Sequence, residues 1–236
     1  VATPKRTVAG TYWSYEPTNP HGDDPGLAAL DRLPDDAVVL DVGAHVGEHA
    51  IPLALGTDRR VVAFEPNGES ADRLARNAER NGLGGRIDLR RAGVGDASAT
   101  LTFYRSTFSK CSAFDRELAT RWGARVAGTD RVPIRRLDDL VEGIGDAADG
   151  VGPVSPPDAI KVDVEGHEAA VLRGAAATLA AHRPLLVVEV HESESAETDA
   201  GGADPDELRE WLEARGYAVE TAEDVWICRP RDGERE

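Results

Sequence analysis

The stretch "LDVGAHVGEHAIPLA" (residues 40–54) decides the fold, and it has two incompatible readings. Taken from His45, "HVGEH" spells H-x-x-E-H, an inverted zinc-peptidase pattern that needs both imidazoles on one continuous helix facing a common ion. Taken from Leu40, it is a strand ending at Asp41, a turn punctuated by Gly43 and Gly47, and then a helix. That is how α/β sheets hold a nucleotide-like ligand. Gly47 stands between the two histidines, and a β-branched run comes just before them. The strand-to-helix turn therefore falls across 45–47, with His45 in the loop and His49 in the first helical turn, which removes the i, i+4 relation a metal would need. No metal site is expected here.

Working outward, short apolar runs alternate with helical periodicity from residue 37 onward, the pattern of a parallel sheet with helices on both faces. "AVVLDVG" (37–43), "RVVAFEP" (60–66) and "RIDLRRAGVGD" (86–96) read as the first three strands, with a helix over about 46–55 after the first. The second strand leads into a helix with Asn67 as its N-cap, Ala71, Leu74, Ala75 and Ala78 on one face, and "NG" (81–82) as its stop. "ATLTFYRS" adds a strand or hairpin, and "RVPIRRLDDLV" (131–141) a strand running into a short helix. "AIKVDVEG" (159–166) is then a strand whose following helix repeats Ala169, Leu172, Ala176 and Leu179. "PLLVVEVH" (184–191), nearly all apolar, is expected at the centre of the sheet.

Asp204, Pro205 and Glu207 open a last helix, and "YAVET" with "VWICR" makes a closing hairpin. Residues 143–158 and 192–204 read as acidic loops. The expected organisation is an N-terminal extension over 1–36 packing on one α/β domain over 37–230, with a tail at 231–236.

The 236 residues carry 27 Lys plus Arg against 43 Asp plus Glu, a net charge of −16. Only Lys5, Lys110 and Lys161 are lysines. Such a surface repels nucleic acid and anionic membrane, and it suits a high-salt, halophilic cytoplasm where repulsion is screened. The longest apolar runs are strand-sized, so no membrane insertion is expected. The opening "VATPKRTVAG" lacks the apolar core of a signal peptide, which points to a cytoplasmic protein. Cys111 and Cys228 have no CxxC partner, so neither a disulfide framework nor a zinc–thiolate site is expected.

The turn after the first strand has ligand chemistry of its own. Gly43 and Gly47 allow tight turning and close approach, and Asp41 at the strand tip can accept hydrogen bonds from an ammonium group. Glu65 ends the second strand 24 residues later, where an acid commonly holds a ribose hydroxyl pair. The spacing is not G-x-G-x-x-G, since 45 is His and 48 is Glu. This argues against a dinucleotide pyrophosphate and for S-adenosylmethionine, a phosphate-free cation that suits acidic surroundings.

The segments "VVLDVGAHVGEHAIPLA", "VVAFEPNGESADRLARNAERNGL", "VPIRRLDD" and "IKVDVEGHEAAVLRGA" followed by "PLLVVEVH" resemble the FkbM family of S-adenosylmethionine-dependent methyltransferases. The resemblance runs from about residue 37 to 227. It implies a Rossmann-like class I methyltransferase fold, a mostly parallel seven-stranded sheet with helices on both faces and a C-terminal antiparallel hairpin. It implies that Asp41, Gly43 and Gly47 cradle the methionine part of the cofactor, with His45 in the same loop where the family usually has Asn. Glu65 would bind the ribose hydroxyls, Pro66 and Asn67 would lie beside the ribose or adenine, and Gly93 and Val94 would meet the adenine.

Ligands bind such sheets outside the carboxyl ends of the strands, where "KVDVEGHE" places Asp163 and the next strand places Glu189 and His191. Asp163 is the first candidate for orienting or deprotonating an acceptor, with contact to the cofactor's amino group as its alternative. His191 is the second candidate base. The expected reaction is methyl transfer to a hydroxyl of a small molecule or glycan. A nicotinamide-dependent oxidoreductase and a non-catalytic cofactor-binding homologue are the rival readings.

Overall fold

A computed structural model describes residues 1–16, 22–144, 151–191 and 204–231. The chain opens with an antiparallel hairpin, β1 (Thr3–Thr7) and β2 (Gly10–Ser14), and helix α1 (Pro25–Leu30), whose N-cap Asp24 accepts from Leu27 N. Asn77 and Asn81 bind the backbone of Tyr15 and Trp13, so the hairpin is tied to a later helix by side-chain amides. Tyr12, Leu27 and Leu30 are buried against one face of the main sheet.

The α/β unit follows, with β3 (Val38–Val42), α2 (Ala50–Ala54), β4 (Arg60–Phe64), α3 (Gly68–Arg80) and β5 (Ile87–Arg90). Next come β6 (Gly93–Val94), β7 (Ala99–Ser106), β8 (Val126–Arg135) and α4 (Leu137–Val141), then β9 (Ala159–Val162), α5 (Glu168–Arg173), α6 (Ala176–His182) and β10 (Leu185–Glu189). Helix α7 (Pro205–Glu213) and the hairpin β11 (Tyr217–Ala222) and β12 (Val225–Pro230) close the fold. The main sheet has seven strands in the order β11-β12-β10-β9-β3-β4-β5, parallel from β10 to β5 and antiparallel through the terminal hairpin. Alternation along each strand divides the core. Leu40 and Val42 of β3 enter one hydrophobic layer and Val39 the other, as expected for strands covered on both faces.

Three local expectations are corrected. The helix expected over 46–55 begins only at Ala50, because His45 (φ 47°) and Gly47 (φ 90°) hold left-handed backbone that cannot propagate a helix. The third strand stops at Arg90, and Gly93 and Val94 belong to a separate three-stranded sheet, β6-β8-β7. The helix expected after β9 is two helices broken at Gly174, where a Cβ would collide with the Gly95 carbonyl oxygen. The described part of the segment expected as a loop, 151–158, holds no helix or strand, and its Val151 and Val154 are buried in the core. Residues 145–150 of that loop, 192–203 of the other and 232–236 of the tail lie outside the described residues.

Candidate active site

An open cleft of about 810 Å³ lies at the carboxyl ends of β3, β4, β9 and β10. Its inner wall is main-sheet chain: Gly43, Glu65, Pro66 and Asp163. Its outer wall comes from the three-stranded sheet and the turns after β7, with Phe103, Ser109, Lys110 and Phe114. Phe103 and Phe114 meet edge to face at 5.0 Å, and Ala92, Gly93 and Val94 complete an apolar side. Gly93 is required there, since a Cβ would run into Ile134 and Phe114.

Glu65, buried on this wall, is held by the loop that the sequence singled out. Its Oε2 accepts from His45 N and its Oε1 from Asn67 N, both at 2.7 Å. The left-handed turn at His45 is what aims that N–H at the carboxylate. Burial pushes the Glu65 pKa up against these two hydrogen bonds and the nearby charges of His45 and Lys161. The result is a fixed carboxylate with lone pairs left over for a ligand's hydroxyl groups.

Beneath the floor lies an ionic knot. Lys161 Nζ donates to Gly43 O at 2.8 Å and sits 3.2 Å from Asp41 Oδ1 and 3.4 Å from Asp163 Oδ2. Asp41 is 1% exposed, and neither of its side-chain oxygens has an aligned hydrogen bond among the described residues, so Lys161 is its counter-charge. Burial works to lower the Lys161 pKa, but Asp41 and Asp163 outweigh it and hold the ammonium well above the ordinary lysine value. Burial would likewise raise Asp163, yet Lys161, His191 and His49 bring its carboxyl below the usual range.

The third cluster sits where β9 and β10 end. His191 Nδ1 is 2.8 Å from Oε1 of buried Glu168, which also accepts from Gly166 N. A carboxylate only accepts, so Nδ1 carries the proton and Nε2 faces Glu165 at 3.2 Å and Glu189 at 3.6 Å. Burial works to lower the His191 pKa, but the Glu168 hydrogen bond and the surrounding carboxylates raise it above the ordinary value. Glu189 is raised by burial and by repulsion from Asp163. Ligand-type atoms of Asp163, Glu189 and His191 lie within 4.8 Å of one another.

Of the residues singled out in the sequence, Gly43, His45, Glu65, Pro66, Gly93, Val94 and Asp163 line the cleft. Asp41 lies below it, behind Lys161. Gly47 shapes the turn, where a Cβ would press on Ile51 and Leu74. Asn67 caps α3 and reaches Ser112 Oγ at 3.3 Å. His191 lies beside the wall, held by the carboxylates. The histidines of "HVGEH" part company: His45 Nε2 meets Ser109 Oγ at 3.0 Å, while His49 Nε2 meets Asp24 Oδ2 at 3.0 Å.

Sequence reasoning left Glu189, Glu168 and Lys110 unassigned. Glu189 carried a usable signal, being a carboxylate at the end of an apolar central strand. Glu168 and Lys110 carried none, because their partners lie 23 and 62 residues away in the chain.

A family profile, that of the methyltransferase FkbM domain, matches residues 41–219. The hexuronic acid methyltransferase AglP of Haloferax volcanii is 30% identical over 193 residues, which cover 81% of this chain and 67% of that protein. The AMB antimetabolite synthetase AmbE of Pseudomonas aeruginosa is 31% identical over 83% of this chain, which is only 10% of that much longer protein. Among solved structures, the methyltransferase FkbM of Methylobacillus flagellatus superposes with a TM-score of 0.51 at 21% identity, over 84% of this chain and 44% of the other. That similarity speaks for the shared Rossmann-like fold. With the family profile extending across most of the chain, from the glycine turn to the terminal hairpin, the protein belongs to the FkbM family of methyltransferases.

Proposed function

We propose that the protein transfers the methyl group of S-adenosylmethionine to a hydroxyl of a sugar-like acceptor, and that it does so as a cytoplasmic enzyme with no nucleic-acid partner. The observation that carries this is Glu65, a buried carboxylate preset by two backbone N–H groups on the wall of the cleft. The residues present fit the cofactor. Glu48, Glu65, Asp163, Glu165 and Glu189 all line the cleft, a setting that repels a pyrophosphate and favours a sulfonium with an ammonium group. Phe103, Phe114 and Val94 offer an apolar wall to an adenine. The relationship to the hexuronic acid methyltransferase AglP is what suggests a sugar acid as the acceptor class.

When bound, S-adenosylmethionine supplies an electrophilic methyl group on a sulfonium. Glu65 would hold the ribose hydroxyls, the Gly43 turn the amino-acid end, and Gly93 and Val94 the base. Asp41 acts at one remove, fixing Lys161 and through it Gly43 O and Asp163. Asp163, kept ionised by Lys161, orients the acceptor hydroxyl. Glu189, raised by burial and by Asp163, is the better proton acceptor of the two carboxylates. His191, already inclined to hold its proton, balances their charge. The unit over 37–230 would carry this chemistry, with 1–36 bracing it.

Calorimetric titration with S-adenosylmethionine, S-adenosylhomocysteine and NADH, at low and at molar KCl, tests the reading. Binding of the first two is expected, followed by a mass gain of one methyl on a hexuronic acid glycoside. A folded protein that ignores both sulfur ligands, or one that takes NADH instead, would refute it.

A further inference from the structure

Beside the cleft mouth, the chain presents an aromatic surface that the core does not use. Trp122 is 76% exposed and Phe108 50%, and their ring centroids lie 6.2 Å apart at a tilt of 54°. Both belong to the segment between β7 and β8, which supplies the outer wall of the cleft. Phe108 immediately precedes Ser109 and Lys110, which line it. The Arg121 guanidinium lies over the Trp122 ring, 4.5 Å from its centroid, and is paired with Glu165, another lining residue. So a continuous path runs from the exposed indole through Arg121 to the carboxylates at the end of β9.

Two physical features argue that this surface is a binding face. First, exposing an indole in water is unfavourable, and this chain has only four Trp and four Phe to place. Second, Trp122 stands at φ 55°, a left-handed position costly for a bulky side chain. Leu118, which opens the short helical turn Leu118–Gly123 that ends around Trp122, fills the space beside Gly166, so the turn is anchored while the indole itself stays out. Trp122 is exposed, with the Arg121 cation over its ring.

We propose that Phe108 and Trp122 form the acceptor subsite, receiving the C–H face of a pyranose ring, with Arg121 donating to its hydroxyl or carboxylate oxygens. The proposal rests on the sugar-acceptor reading above and deepens it. A pyranose has an apolar C–H face with equatorial hydroxyls at its edge, which matches an exposed indole face with a guanidinium on its other side. A flexible or acyclic acceptor would gain little from such a rigid surface. The alternative occupant is a second copy of this chain, which would cover the same aromatic pair.

The test uses the whole protein, loaded with S-adenosylhomocysteine, and methyl glucuronide as probe, with methyl glucoside as its neutral counterpart. Saccharide binding should shift the tryptophan emission, and Trp122→Gly should abolish that shift and weaken binding at least about tenfold. Glycine suits the left-handed position, so melting temperature and S-adenosylhomocysteine affinity should stay at their wild-type values. Trp122→Phe should restore binding. Equal saccharide affinity in wild type and Trp122→Gly would overturn the proposal while leaving the methyltransferase reading intact. So would a wild-type dimer that Trp122→Gly turns into a monomer. Failure to bind S-adenosylhomocysteine would instead overturn the underlying reading.

Discussion

Glu65→Gln removes a charge while keeping the shape, and its consequences can be worked from two hydrogen bonds. In the native protein both carboxylate oxygens accept backbone N–H groups at 2.7 Å. A glutamine can satisfy only one of these donors, leaving its own NH2 turned toward the other. It also loses the anionic acceptor that a ribose hydroxyl would meet. A hydrogen bond to a charged group contributes about 1.5–3 kcal/mol, so S-adenosylmethionine should bind about 10- to 150-fold more weakly. The fold should suffer much less, because the substitution also lifts the burial penalty on an ionised side chain.

The raised pKa adds a signature that no general loosening would copy. Free Glu65 contributes stability below its unfolded value, which is lost as pH rises through its folded one. Ribose hydroxyls favour the carboxylate, so cofactor binding should expel a proton near that folded pKa. Titration calorimetry in buffers of differing ionisation enthalpy would detect this release in wild type and its absence in Glu65→Gln. Affinity unchanged by the substitution, or identical proton release in both proteins, would refute the role assigned to Glu65.

Three further outcomes follow from the same geometry. Lys161→Met leaves Asp41 buried without its counter-charge, at a cost of about 3–5 kcal/mol, and thermal melting should show partial recovery in Lys161→Met with Asp41→Asn; an unaffected single variant would refute the pairing. The His191 pKa is raised, so its pairing with Glu168 stabilises the fold fully below pH ~6.5 and fades as pH climbs past the folded value. Denaturant midpoints across pH 5–9 should carry that slope in wild type and lose it in His191→Gln. Gly43→Ala places a methyl against the Asp163 carbonyl oxygen at φ 83°, and chemical denaturation should register a loss above ~2 kcal/mol; a loss under ~1 kcal/mol would mean that β3 and β9 can separate freely.

The sheet was legible because burial on both faces leaves an unmistakable run of β-branched residues, as in "PLLVVEV", and because Asn67 and Asp204 cap their helices by local chemistry. Glu65 was legible for a related reason: strand order fixes which side chains reach a carboxyl edge. Asp41 shows where that logic fails. Its strand-tip position was read correctly, but its facing partner, Lys161 on β9, comes from 120 residues on and takes up the carboxylate first. The late start of α2 was hidden because His45 adopts a backbone conformation usually left to glycine or asparagine. Gly93 and Val94 look like the tail of a strand, and only pairing with β8 reveals a second sheet.

That second sheet assigns one short stretch of chain to one wall of the cleft. Its longest ladder joins β7 to β8, neighbours in the chain, so the segment closes on itself and needs little from the parallel strands. The main-sheet wall of the cleft is thus written in residues 42–66 and 163–189, and the outer wall in residues 92–114. That outer stretch also reaches back to the two residues that hold Glu65, Ser109 meeting His45 and Ser112 meeting Asn67, so a change in one wall is felt by the carboxylate of the other.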